Sequence, residues 1–477
     1  MDSFNSALEE ISGWVWGPWC LIPLLFITGV VLTWRLRGIQ VTKLIPALRL
    51  GLFERHDKDA EGGDVSQFQA LTTALAATVG TGNIVGVATA VLMGGPGAIF
   101  WMWISGFFGM ASKYSEAFLA VRYRTRDEKG EISGGPQYYL QRGIKGPVGK
   151  VLALTFSVFA VLASFGIGNM TQANSISANM EGTFHVPTWV TGVVLAILAL
   201  LVLVGGIKSI GKVTESFVPL MILVYVLTTI VLLVLNAGQI LPAFGLIFSD
   251  AFTGQAVAGG ALGTVIRFGM ARGIFSNESG MGSAAIAAAA AKTTHPVRQG
   301  LVSMTQTFID TMIVVTCTGI AIVTTGVWKG ADKNSAGTLT GTAFDTSLPG
   351  QWGSIIVTLC LAMFAFSTIL GWCYYGERNV ERLVGVKWVL PYRIIFSLVV
   401  FVGATTSLSV VWNVADILNG LMAIPNLIGL LVLSGLIARE TKHYLDNDPE
   451  LRASKQEIDT FMEGRPGAID TYETTGV

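Results

Sequence analysis

Two short stretches carry the residues best suited to chemistry at membrane depth. One is Thr78-Val79-Gly80-Thr81-Gly82-Asn83, inside the apolar run Gln67–Leu92. The other runs from Arg272 to Gly280 and holds Ser276, Asn277 and Glu278, inside the run Gly259–Ala291. Each interior glycine costs a helix about 1 kcal/mol relative to alanine. Backbone groups freed within a membrane are tolerated only where they line a cavity or meet a partner. A broken helix at each stretch is therefore expected. The N-terminus of a half-helix suits a carboxylate, because its N–H groups are free and the dipole favours an anion; Thr81, Gly82 and Asn83 would supply it. Carbonyls freed near Ala77 and Thr78, and near Phe275 and Ser276, would suit an ammonium. Read instead as glycine-rich packing helices, the stretches would explain Gly82 and Gly86. They would not explain Arg272, Ser276, Asn277 and Glu278 in mid-span.

Three further groups could complete such a site. Phe165, Asn169 and Gln172 recur at i, i+4 and i+7, so a regular helix puts them on one face; interhelical hydrogen bonding without a ligand is the alternative. Ser367 and Thr368 are adjacent hydroxyls in an apolar run. They would either bond back to the previous turn or join a cation shell. Trp372 shares a face with Thr368 and, with Phe165 and Phe275, would limit a pocket to small side chains; otherwise it packs or sits at the membrane interface. Charges within spans are Lys113, Glu116, Arg267, Arg272, Glu278, Asp310 and Asp416. Such residues are normally paired or line water. Arg272 and Glu278 flank the second break, where with Asn277 they would gate or brace it. Lys113 and Glu116 read as a structural pair near a span end, and Asp310 as the protonatable group if protons couple.

The elements that must position these residues follow from composition. Of 477 residues only 13% are charged and 52% are hydrophobic, with a mean hydropathy of +0.60. Soluble domains carry about a quarter charged residues. Lys plus Arg equals Asp plus Glu at 31 each, and no nucleic-acid partner is expected. Cys20, Cys317, Cys360 and Cys373 lack ligand spacing and read as core residues. The four histidines fall between or beyond the apolar runs, which argues against a histidine relay or metal centre within the membrane. No cleavable signal is expected, because the acidic N-terminus lacks a basic leader. Runs of about 20 apolar residues number roughly eleven. Lys and Arg concentrate in the odd-numbered loops, placing the N-terminus outside and the C-terminus in the cytoplasm. The expected architecture is all-α and polytopic: one extra helix at 14–34, five-helix repeats at 67–236 and 259–438, and a cytoplasmic tail at 439–477. The two interrupted helices then lead their respective halves, and an odd number of spans per half makes the repeats inverted, the pattern of a transporter site. A channel, a membrane enzyme and a transporter-like sensor fit less well. No pore repeat, phosphate loop, nucleophile elbow or signalling domain is evident.

The stretches TALAATVGTGNIVGVATAV, GGPGAIFWMWISGFFGMASKYSEA, SGGPQYYL, ARGIFSNESGMGSAAIAAAAA and AFSTILGWCYYGER resemble the alanine or glycine:cation symporter family, also called sodium:alanine symporters. The resemblance covers most of the membrane region. It implies a LeuT-type fold of 5+5 inverted helices after one extra helix, in the cell inner membrane. It also implies uptake of L-alanine, glycine or D-alanine with Na⁺, or in some members H⁺, by a monomer. In that fold the helix of Ser367 and Thr368 faces the first break, which implies a sodium site of Ala76, Val79, Ser367 and Thr368. By the same resemblance the face of Phe165, Asn169 and Gln172 lines substrate; the first core helix is also similar to that of neurotransmitter:sodium symporters, which implies that Thr78 and Asn83 could serve a second cation.

Overall fold

The computed structural model describes residues 2–463 apart from 18, 56, 58, 59, 61, 254–261 and 407–408. The start of the second repeat as read above (259–261), the end of the tail (464–477), His56 and Lys58 lie outside the described residues. Apart from a two-stranded ribbon, Thr125–Arg126 with Ile132–Ser133, and a Val65–Ala291 bridge, the described secondary structure is helical. Among the described residues six helices are long and apolar enough to cross a membrane. Gln67–Thr78 with Gly82–Gly94, bent by 52°, makes a seventh if counted as one span. Leu21–Arg35 and Thr188–Leu203 are apolar but have 15 and 16 residues, about 22–24 Å against roughly 30 Å of hydrocarbon. Ala98–Arg122 has 25 residues but includes Lys113, Glu116 and Arg122. Leu262–Asn277 stops at the second break. The sequence figure of eleven counts these four as well.

The run Trp14–Trp34 is not one helix. Asp2–Val15 and Leu21–Arg35 are separate, because the intervening Gly17-Pro18 disfavours a continuous ladder. Two further helices, Ala237–Thr253 and Ala336–Asp345, lie between the longer ones.

The outer helices show how the bundle sits in lipid. Gly206–Leu235 buries Thr214, Val218, Met221, Tyr225, Thr229 and Leu232, a stripe at helical spacing, while Leu220, Leu223, Leu227, Val231 and Leu235 stay exposed. The broken helices lie at the centre. Gln67–Thr78 buries every residue except Gln69, and its start is fixed by a capping box between Ser66 and Gln69. Ala284–Ala291 is buried throughout.

One face of the bundle is strapped by the tail. Buried Arg298, at the head of the Pro296–Thr307 helix, binds Asp57 (2.8 Å), Asp448 (3.1 Å), the Ala453 carbonyl (2.6 Å) and the Tyr444 hydroxyl (2.8 Å). The tail carbonyls of Pro449 and Glu450 accept from Lys43 and Arg49, and Leu451, Ile458 and Met462 are buried. The tail is thus tied to the arm that leads into the first broken helix.

Candidate functional site

The first break begins where the helical ladder ends. Val79 N–H still donates to the Leu75 carbonyl (2.8 Å), but Val79 leaves helical geometry at ψ 89°. Gly80 N–H turns to the Asn83 side-chain oxygen (2.9 Å), so the carbonyl of Ala76 loses its i+4 donor. Two hydroxyls of the Trp352–Val384 helix take that donor's place: Ser367 Oγ at 3.1 Å and Thr368 Oγ1 at 3.0 Å. Each also reaches the Phe364 carbonyl, at 2.8 and 3.1 Å. A hydroxyl with two acceptors can turn its proton to Phe364 and offer lone pairs to a hard cation, which prefers oxygen ligands. Only glycine fits at position 80, since a Cβ there would collide with Thr368 Oγ1 and stand 3.1 Å from Gln172 Oε1.

Across the break, Gln172 Oε1 accepts from Thr81 N (3.1 Å) and Thr81 Oγ1 (2.7 Å). Asn83 Nδ2 donates to Asp310 Oδ1 at 2.7 Å. The other oxygen of Asp310 accepts from Ser276 (2.9 Å) and Thr311 (2.8 Å). Asp310 is fully buried on the π-helical stretch Phe308–Val315. It joins both broken helices to a third element, and its hydrogen-bond donors are neutral amides and hydroxyls. Asn277 Nδ2 donates to Thr311 (3.1 Å), and Gln306 donates to the Asn277 carbonyl (3.2 Å).

The second break follows Asn277, where Glu278, Gly280 and Gly282 all take positive φ (54°, 88° and 82°). Glycine adopts that conformation readily; Glu278 needs outside support. Its carboxylate accepts from Trp372 Nε1 (2.7 Å) and Ser283 Oγ (2.6 Å), and its carbonyl accepts from Lys113 Nζ (3.0 Å). Glu116 accepts from Gly282 N–H (2.9 Å) and from Asn426 (2.8 Å), which also donates to the Gly280 carbonyl (2.9 Å). Lys113 and Glu116 therefore brace the break itself and do not merely close a helix end. On the other side of Asn277, Phe275 stacks on Trp412 with centroids 5.7 Å apart, and Arg272 pairs with Asp416 at 3.5 Å. These two contacts close the site between the second broken helix and the Ser409–Asn447 helix.

The structure thus gathers Ala76, Thr81, Gly82, Asn83, Gln172, Ser276, Asn277, Ser367 and Thr368 around the breaks, with Phe275 against Gly82 and Trp372 on Glu278. Gly82 lies against Phe275 and Ser276, where a Cβ would stand 3.1 Å from each. Three of the expected residues turn their side chains elsewhere. Thr78 turns its hydroxyl back to Ala74 (3.0 Å) and Leu75 (3.3 Å), satisfying its own helix. Phe165 packs on Tyr392 and Phe396, and Asn169 donates to the Phe396 carbonyl (2.7 Å), so both face the Val389–Thr405 helix and not the break. The π-turn Gly166–Met170 is the reason: its extra residue rotates Gln172 out of phase with Phe165. Arg272, expected to gate or brace the second break, is paired with Asp416. Asp310 and Asp416 were visible in the sequence as charges within spans, but their partners were not. Trp412, Thr311 and Asn426 carried no signal beyond polarity or size.

The model of the sodium:alanine symporter family matches residues 1–459. The chain is 53% identical over 444 residues to the sodium/alanine symporter AgcS of Methanococcus maripaludis, covering 92% of this chain and 97% of that one. It is 35% identical over 447 residues to the amino-acid carrier protein AlsT of Bacillus subtilis, covering 93% of each. Among solved structures it resembles MhsT in complex with L-phenylalanine, with a TM-score of 0.57 at 15% identity over 80% of this chain and 98% of that one. That likeness gives the LeuT fold.

Proposed function

Because the chain belongs to the sodium:alanine symporter family, whose members are multi-pass membrane transporters, we propose that it imports L-alanine and glycine, and D-alanine as well, with Na⁺ by alternating access. The observation that carries this reading is the freed Ala76 carbonyl met by Ser367 and Thr368. Three oxygens from two helices converge where the first helix breaks, and a sodium ion shared among them and the Val79 carbonyl would lock those helices together. Substrate carboxylate would then meet the N–H groups of Thr81, Gly82 and Asn83, and its ammonium the carbonyls freed at Phe275 and Ser276. Trp372 and Phe275 bound the space and favour a small side chain.

In this reading the chain has eleven spans arranged as one plus two inverted sets of five. It works as a monomer in the cell inner membrane, with its N-terminus outside and its C-terminus in the cytoplasm. The Phe275–Trp412 and Arg272–Asp416 contacts then form the outer closure, and the tail strap lies on the cytoplasmic face. Asp310 favours a second reading of the ion: a buried carboxylate hydrogen-bonded by neutral donors suits a proton or a second cation.

The test is labelled alanine uptake into proteoliposomes under an inward sodium gradient, a proton gradient, or neither. Concentrative uptake that requires sodium, and survives in Asp310→Asn when only the proton gradient is collapsed, supports sodium coupling at Ser367 and Thr368. Uptake driven equally by protons, and lost in Asp310→Asn, moves the coupling site to Asp310. No uptake of alanine or glycine by folded protein under either gradient sinks the substrate assignment.

A further inference from the structure

The long helix Ser409–Asn447 turns one face to the second broken helix. Trp412, Asp416, Asn419 and Asn426 follow one another at intervals of four, three and seven residues, which is a single stripe at 3.6 residues per turn. Three of the four have partners on the second broken helix or just past its end: Trp412 on Phe275, Asp416 on Arg272, and Asn426 on the Gly280 carbonyl. The neighbouring face looks elsewhere. Gly420 abuts Val15, Leu21 and Trp16 near the N-terminal helix. Asn419 lies on the stripe between Asp416, paired with Arg272 before the break, and Asn426, bonded to the Gly280 carbonyl beyond it.

Asn419 is fully buried, and neither its amide nitrogen nor its carbonyl oxygen has a hydrogen-bond partner. Among the described residues no other buried side chain has both a donor atom and an acceptor atom left over in this way. Buried amides are almost always satisfied, and an unsatisfied one is destabilising enough to need a reason. An apolar residue would pack this position without that penalty.

We propose that Asn419 is a substrate-binding residue, contributed by the C-terminal long helix, whose amide is completed by the guest of the transport site. The chemistry it selects is a zwitterionic head group. A carbonyl oxygen accepts from an ammonium and an NH₂ donates to a carboxylate, so one side chain offers both complements in a fixed spacing. This inference rests on the reading of the breaks as the transport site.

The decisive variant is Asn419→Leu, which keeps the γ-branched shape and removes both polar atoms. The expected pattern has two opposed parts. Without alanine the variant melts at a higher temperature than the unaltered protein, because an unsatisfied group has been removed. With alanine its melting shift is lost, and the KM for sodium-driven uptake rises by about tenfold or more. Asn419→Asp, which keeps an acceptor for the ammonium but loses the donor for the carboxylate, weakens binding as well. Asn419→Gln, should leucine prevent folding, serves as the second variant: its displaced amide raises KM in a protein that keeps the same groups. Unchanged alanine KM and melting shift in Asn419→Leu, or in Asn419→Gln where leucine does not fold, overturn the proposal and leave Asn419 as a packing residue. Absence of any uptake by the unaltered protein overturns the transport reading instead, so the two failures are told apart.

Discussion

Thr368→Val isolates one ligand of the proposed sodium site with little disturbance of shape. Valine matches threonine in volume and branching, and position 368 is 2% exposed, so its packing is retained. The Ala76 carbonyl is not orphaned, because Ser367 still donates to it at 3.1 Å. The loss of fold stability should therefore stay near the roughly 1 kcal/mol of an ordinary hydrogen bond. The ion loses more. Removing one neutral oxygen from a desolvated cation is comparable to deleting a hydrogen bond to a charged group, about 1.5–3 kcal/mol. That corresponds to a rise of roughly 10- to 150-fold in half-saturating sodium. Alanine KM measured at saturating sodium should hardly move, since no alanine contact is removed. The assay is initial uptake into proteoliposomes as a function of external sodium at fixed alanine, with Thr368→Ser as the control that keeps the hydroxyl. Half-saturating sodium within twofold of the unaltered protein in Thr368→Val would show that the hydroxyl only bonds back to Phe364 and Ala76. The sodium site would then have to be sought at Asp310.

Trp372→Ala removes the donor to the Glu278 carboxylate and the ring packed against Gly168. Competition by leucine and phenylalanine for alanine uptake should become measurable, and unchanged selectivity would count against a pocket role. Arg298→Ala strips Asp57 and Asp448 of their shared partner. Breaking such buried pairs typically removes about 3–5 kcal/mol, so the tail beyond Asn447 should become sensitive to limited proteolysis; an unchanged digestion pattern would mean the strap does not depend on this node. His295 caps the same helix by accepting Val297 N–H at Nδ1 (3.2 Å), and burial pushes its imidazole down to about 3. Its folded pKa lies below the usual 6.5, so the folded state resists the charged form. Its contribution to stability is complete above about pH 6.5 and is lost as pH falls from there towards 3. Melting curves between pH 7 and 4 should show the decline, and His295→Asn should flatten it.

Much of the architecture was legible because its causes are local. Hydropathy and glycine placement located both broken helices, since a glycine cluster at membrane depth has few stable alternatives. The Ser66–Gln69 capping box marks the start of the first one in plain sequence. The adjacent hydroxyls at 367 and 368 were visible as a pair, and the structure brings them to the Ala76 carbonyl. The split at Gly17-Pro18 was equally visible, but an apolar run hid it.

What the sequence withheld depends on phase and on distant partners. Phe165, Asn169 and Gln172 share a face only if every residue advances the helix by 100°. One π-turn at Gly166–Met170 breaks that rule, and such turns leave little compositional trace; the glycines at 166 and 168 are its nearest signal. The same mechanism places Asp310 on a π-helical stretch, where it reaches Asn83 and Ser276 together. Partners separated by hundreds of residues, such as Asp416 for Arg272 and Asn426 for Gly280, are set by how whole helices pack. A stripe becomes informative only once its partners are known. Trp412, Asp416 and Asn426 each answer a group on or just beyond the second broken helix, and those three contacts give the unanswered amide of Asn419 its meaning. In the sequence alone it is one asparagine in an apolar helix, indistinguishable from a residue that bonds across to a neighbour.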